Sequence, residues 1–315
     1  MAGKLGTHDI WPLAKETFSQ WMEDKVPKMA AALAYYTAIS IAPLLVITIK
    51  VLGMMLGPKA ASHQLQGELA SLTDPRIADA LQGAIEKAGA PGAGTWATII
   101  SIIVALFGAS GVFAELQDSL NTIWEVRPKP NRGIMGMIRD RFLSITMVLG
   151  VAFLLLVSMF ISTMITGVSG MIMSHILGKE SVVAHAIAIF LDICISTAVV
   201  SVLFAAIFKM LPDVEIDWPD VGMGALVTAI LFQIGKYGLG IYLTKATPES
   251  AYGVAGSLVA VLIWVYYSSQ ILFFGAEFTK VYADEYGSRI VPSKNAEPLP
   301  GAKVVQPFVD RPATV

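Results

Sequence analysis

Six long apolar runs divide the 315-residue chain, at roughly 30–56, 95–116, 142–166, 182–208, 221–244 and 251–279. Each matches the roughly 20 residues a helix needs to cross a bilayer. Lipid offers no water to a free N–H or C=O, so a spanning segment must close its hydrogen bonds internally. The chain therefore reads as all-α: a polytopic membrane protein with six transmembrane helices. Charged residues make up 15% of it, against about 25% in a soluble domain, and the deficit falls in the six runs.

The basic residues predict an orientation. Fifteen of the 22 Lys and Arg lie in the N-terminal arm, the loops after runs two and four, and the tail. Five lie on the other side, and Lys50 and Lys236 fall inside runs. Basic loops stay in the cytoplasm, so both termini are expected there. Residues 1–28 are expected to be a cytoplasmic arm rather than a cleavable leader, because the apolar run that follows is too long for a signal sequence. Within the arm, residues 9–28 read as an amphipathic helix, with Ile10, Ala14, Thr17, Phe18, Trp21 and Met22 on one face. Two tryptophans and a charged opposite face suit the membrane interface; a cap packed on the helix ends is the alternative.

The bundle is expected over 29–285, with an outer loop at 57–94 containing two short helices. Asp213, Glu215, Asp217 and Asp220 read as a solvated hinge, since the glycine and closing glutamate of a calcium loop are missing. The tail, 286–315, is rich in Pro, Val and Lys and is predicted to be disordered. The four histidines lack metal-ligand spacing. No metal site or cofactor motif is visible. Cys194 is the sole cysteine, in an apolar run, and reads as a small hydrophobe.

Charges inside spans face a bundle interior more often than lipid. Threaded along their spans, Lys50, Asp192 and Lys236 reach depths in the outer half that agree within about 6 Å at the helical rise. The three form a candidate substrate site for an anionic group, joined by Tyr36, Ser40, Gln233 and Gln270 on polar stripes of spans one, five and six. Snorkelling of the lysines to headgroups is the alternative. A second tier lies at the cytoplasmic side, where Glu115 and Glu277 meet the depth of Arg139 and Arg141. Carboxylates and guanidiniums at one depth make a structural clamp, or a gate that opens by exchanging partners. Pro43 interrupts span one, and Gly235, Gly238 and Gly240 weaken span five. Close packing or a hinge accounts for either.

Three stretches together resemble one family. They are Ala30-Ala31-Ala32-Leu33-Ala34-Tyr35-Tyr36-Thr37 with Ser40 and Pro43, Phe113 to Trp124 with Leu120-Asn121-Thr122-Ile123-Trp124, and Tyr252 to Ser257 with Trp264 to Ser268 and Gly275-Ala276-Glu277. In this order they are similar to the YihY/BrkB family of bacterial inner-membrane proteins, over about residues 10 to 285. The resemblance implies a six-helix protein of the bacterial inner membrane without a settled activity. Some members are linked to export of a lipid A precursor, a role associated with the YhjD branch. Others are linked to solute or stress phenotypes, and the family once carried a ribonuclease label.

Three functions follow as expectations. The first is a transporter or exporter of an amphipathic or anionic substrate, a lipid or a small solute; with no Walker A sequence it would need a gradient or passive movement. The second is a non-transporting membrane scaffold or envelope assembly factor. The third, a ribonuclease, is disfavoured: only the 213–220 loop offers clustered carboxylates, and no aromatic-basic platform accompanies it. The chain is not expected to be an enzyme. Membrane lipids are the expected partners, a homo-oligomer is compatible with the sequence, and the net charge of −2 offers no field for nucleic acid.

Overall fold

A computed structural model describes residues 10–57, 60, 62–63, 65–67, 111–129, 182–246, 256–288 and 290–302. Helices dominate. In chain order they are α1 (Ile10–Glu23), α2 (Val26–Leu56), the helical stretch 111–123 (α3), α4 (Val182–Met210), α5 (Trp218–Ala246) and α6 (Gly256–Glu285). Four short strands join them: β1 (Val126–Pro128), β2 (Val214–Glu215), β3 (Val291–Pro292) and β4 (Ala296–Pro298). Spans one, four, five and six of the sequence reading coincide with α2, α4, α5 and α6. Span two is described only from residue 111, and span three and most of the 57–94 loop lie outside the described residues.

Among the described residues, three helices contain stretches long and apolar enough to cross a membrane: Ile193–Met210, Trp218–Tyr242 and Leu258–Glu285. Their outward faces agree. Met223, Leu226, Ile230, Ile234, Tyr237 and Ile241 recur every three or four residues on α5, and all are exposed. An apolar stripe of that length facing water would be costly, whereas lipid accommodates it. Cys194 is exposed on α4, so it is not a core residue.

α6 is the hub, packed against α1, α2 and α5, while α5 also packs on α4. Small residues bring α5 and α6 together. A Cβ placed on Gly224 would collide with the Thr279 hydroxyl and sit 2.8 Å from Thr279 Cβ. One placed on Gly275 would collide with the Thr228 hydroxyl and sit 2.8 Å from Thr228 Cβ. The two contacts are reciprocal. Each helix offers a glycine and, one turn on, a threonine that fills the other's gap. Each threonine hydroxyl also donates to the carbonyl of its own helix's glycine, Thr228 to Gly224 at 2.6 Å and Thr279 to Gly275 at 2.7 Å. Those hydroxyls therefore need no partner across the interface. Gly235 continues the close approach against Tyr267 and Ile271, and α5 runs through it unbroken. Packing thus explains this glycine, and the weakened span is not seen. α2 likewise continues through Pro43.

An aromatic chain crosses the bundle. Trp124 meets Phe208, Phe208 stacks on Phe204, and Phe204 meets Phe232, which meets Trp264, at ring separations of 5.8–6.1 Å. These rings lie in or beside a core drawn from α2, α3, α4, α5 and α6.

The tail departs from expectation. Instead of disorder, residues 290–302 return to the bundle. β4 pairs antiparallel with β1, Val126 opposite Pro298, and β3 pairs with β2, Val214 opposite Pro292. Ile290 and Ala296 are buried in the core. Arg127 bonds Glu297 at 2.9 Å, and Lys129 donates to the Lys294 carbonyl at 2.9 Å. Residues 303–315 lie outside the described residues.

The acidic loop is no free hinge either. Asn121 donates to Asp213 Oδ2 at 3.1 Å and accepts the Asp213 N–H at 2.8 Å. Buried Asp220 accepts from the Ser288 N–H and hydroxyl at 2.9 and 2.8 Å, and a side chain on Gly287 would strike that carboxylate. Lys209, at the end of α4, donates to the Ile216 carbonyl and lies over the Trp218 ring. The loop is held at both ends by side chains that sequence spacing leaves free.

Candidate functional site

The most unusual chemistry lies at the strand-bearing end. Glu277 is fully buried on α6, and Lys280, one turn on, is 5% exposed. The turn between α1 and α2 brings up Asp24. The exit of α3 brings up Glu125, whose carboxylate binds the Lys280 ammonium at 2.9 Å. Both approaches use unusual backbone. Lys25, beside Asp24, and Glu125 are the non-glycine residues with positive φ among the described residues, at 56° and 55°. A left-handed residue costs about 1–2 kcal/mol relative to glycine. At Glu125 a glycine would relieve that strain but would remove the carboxylate that meets Lys280.

Asp24 and Glu277 lie within hydrogen-bonding reach of each other. Yet among the described residues Asp24 Oδ2 and both carboxylate oxygens of Glu277 are buried with no donor. The two facts agree once the pair is seen as two acceptors, because a bond between them needs a proton on one. Burial, the largest influence, raises the Asp24 pKa above its ordinary value. The bond to Glu277 and the charge of Lys280 oppose that shift, and Glu125 and Glu23 add to it.

Sequence reasoning placed Glu277 in a clamp but chose Arg139 and Arg141 as its partners by depth. Those arginines lie outside the described residues. The partners seen are Asp24 and Lys280. Asp24 falls on the charged side of the arm by helical spacing, and its signal is its place at the break before the first span. Glu115 lies on α3, partly buried, two turns before Asn121.

The arm itself is helical. Leu13 and Thr17 are buried, and α1 packs on α6. Ile10, Trp11, Phe18 and Met22 are exposed. The inward face therefore runs through Leu13, Thr17, Trp21 and Asp24, and Ile10, Trp11, Phe18 and Met22 turn away.

The outer-half cluster is only partly visible. Lys50 and Asp192 fall on α2 and α4, but their side chains lie outside the described residues. Gln233 donates to Ser196 Oγ at 2.8 Å, tying α5 to α4. Asp192 stands one turn beyond Ser196, and Lys236 about one turn beyond Gln233 in the same direction along these neighbouring helices. Lys236 is partly buried. Tyr36 is 41% exposed. Buried Ser40 donates its hydroxyl to Tyr36 and Thr37 carbonyls of its own helix, so it is spent locally. Gln270 keeps a buried Oε1 without a donor, as does the nearby Ser268 Oγ. Polar atoms thus occupy the α6 interior at two depths.

A family model described as Virulence factor BrkB matches residues 17–300. A "UPF0761 membrane protein" of Azotobacter vinelandii is 27% identical over 276 residues, covering 85% of this chain and 62% of that relative. One of Tolumonas auensis is 26% identical over 287 residues, covering 88% of this chain and 87% of the relative. One of Pseudomonas paraeruginosa is 25% identical over 261 residues, covering 82% and 59%. The chain thus spans about three fifths of the length of some relatives and most of others. No solved structure matches.

Proposed function

From the premise that this chain belongs to the Virulence factor BrkB family of membrane proteins, we propose that it is a transporter of an amphipathic or anionic substrate. A lipid such as a lipid A precursor is the first substrate class to test, and a small anionic solute the second. The protein resides in the bacterial inner membrane with six spans and cytoplasmic termini. The strand-bearing end then faces the cytoplasm, and the exposed residues of α1 lie in the interface. One observation carries the reading: Glu277 is fully buried in a stretch otherwise apolar enough to span a bilayer. An ionisable residue held there is costly and usually belongs to a pathway or relay. Lys50, Asp192 and Lys236, with Gln233 and Gln270, form the substrate-binding tier in this proposal. Glu115, Glu277, Arg139 and Arg141 belong to the gate in this proposal, with Glu277 facing Asp24 and Lys280 in the arrangement described.

The test is reconstitution. Proteoliposomes are assayed for movement of labelled lipid between leaflets and for uptake of organic anions. The expected result is flux in one assay, abolished in Lys236→Ala and Glu277→Ala at unchanged protein level. A second reading, a scaffold without substrate, draws on the polar contacts spent on tying loops together, Asn121 to Asp213 and Asp220 to Ser288. Absence of flux in both assays, with intact folded protein, would favour it.

A further inference from the structure

We propose that Asp24 and Glu277 form a proton-binding site: the two carboxyl groups share one proton and exchange it with water at the strand-bearing end. The use of that proton rests on the transport reading, in which it becomes the coupling ion; the site itself rests on the geometry. Two carboxyl groups within hydrogen-bonding reach need a donor between them, and none is supplied among the described residues, where the Glu277 oxygens and Asp24 Oδ2 are buried without a donor. Close carboxylates do not both ionise readily, and one retains a proton.

The surrounding charges fit this account. Among the described residues, the groups facing the pair are Lys280 on α6, Glu125 at the exit of α3 and Glu23 at the end of α1. Glu23 is exposed, and Lys280 is already engaged by Glu125 at 2.9 Å. Among the described residues one lysine therefore serves three inner carboxyl groups. A single proton between Asp24 and Glu277 brings the inner set from −2 to −1. A metal ion fits less well, because the ammonium already occupies the site's cation position. Among the described residues no three His, Cys, Asp or Glu side chains are grouped to hold one. An exchange route is present as well. Glu277 is fully buried, Asp24 is partly buried, and the Glu125 side chain is 29% exposed beside it. On release, the O–H bond of the shared carboxyl breaks, the proton passes to water, and both groups remain as carboxylates.

The experiment is infrared spectroscopy of the full purified chain in lipid across a pH series. The carbonyl stretch of a protonated carboxyl is expected at near-neutral pH, to shift in heavy water, and to disappear at alkaline pH. It is expected to be lost in both Asp24→Asn and Glu277→Gln. Absence of the band from the unmodified protein overturns the site whether or not the variants fold. So does its survival in both variants. A second arm imposes a pH gradient on the proteoliposomes. Gradient-accelerated flux, lost in Asp24→Asn, supports coupling. Flux indifferent to the gradient overturns coupling. A band without any flux leaves the proton site standing and removes the transport reading.

Discussion

The reciprocal glycine–threonine contact between α5 and α6 sets a sharp expectation for Gly275→Ala. The new methyl carbon would sit 2.8 Å from Thr228 Cβ, whereas carbon atoms pack at about 3.5–4.0 Å. Rotating Thr228 relieves the clash with its hydroxyl and Cγ2, but Cβ is fixed to the backbone, so the helices must part by roughly 1 Å. Overpacking of this kind costs about 1–3 kcal/mol. Separation would also loosen Gly224 against Thr279, one turn away, so the upper half of that range is expected. Thr228→Gly removes the obstructing carbon. The double variant Gly275→Ala/Thr228→Gly should be more stable than the sum of its single changes, with a coupling of about 1–2 kcal/mol within the range for touching residues. Thermal unfolding in detergent micelles, followed by tryptophan fluorescence and by monodispersity after heating, measures all four corners of the cycle. A Gly275→Ala melting temperature equal to that of the unmodified protein, or a cycle that closes additively, would refute the close approach.

Three further outcomes follow. Lys280→Met removes the one cation among Asp24, Glu125 and Glu277 and should destabilise the protein by about 3 kcal/mol, more than Glu125→Gln, because the Glu125 side chain is 29% exposed and can hydrate; chemical denaturation in micelles compares them. For Asp24, whose pKa is raised above 3.8 by burial, the stabilising contribution is complete below 3.8 and is lost as pH rises through the higher folded value. Melting temperature should therefore fall across that window, and Asp24→Asn should flatten the fall. Asn121→Ala removes both bonds to Asp213 and should cost about 1–3 kcal/mol, read as a lower melting temperature and faster proteolysis near residue 213.

The sequence made the apolar spans of α4, α5 and α6 legible because lipid enforces a simple length and composition rule. It made Glu277 legible for the same reason, since a carboxylate is conspicuous in an apolar run. What it concealed was pairing. The depth of a residue along one span says nothing about which neighbour rotates towards it: matching depth points from Glu277 to Arg139 and Arg141, which lie outside the described residues, and not to Asp24 and Lys280, which face it. The tail shows the same limit differently. β3 and β4 have two and three residues, too short to carry a period of their own. Their partners lie 78 residues away for Val214 with Pro292 and 172 for Val126 with Pro298. A prolyl, charged segment looks unable to fold when its partners are hidden. The acidic loop misled because aspartates read as solvated unless Asn121 and Ser288 are known to meet them. The Gly224/Thr228 and Gly275/Thr279 spacing was present as an i, i+4 repeat on both helices, and only their register gave it meaning.

The two small ribbons also bear on biogenesis. β1 and β2 leave the ribosome before α6 has been made, while β4 and β3, which pair with them, follow it. Insertion of the helices can therefore be finished while the loops at this end still lack their seal. Final tightening waits for a few late residues to fold back across hairpins already in the bilayer. A pulse of protease applied to nascent chains of increasing length should find these early loops cleavable until the segment 290–302 has emerged, and resistant afterwards.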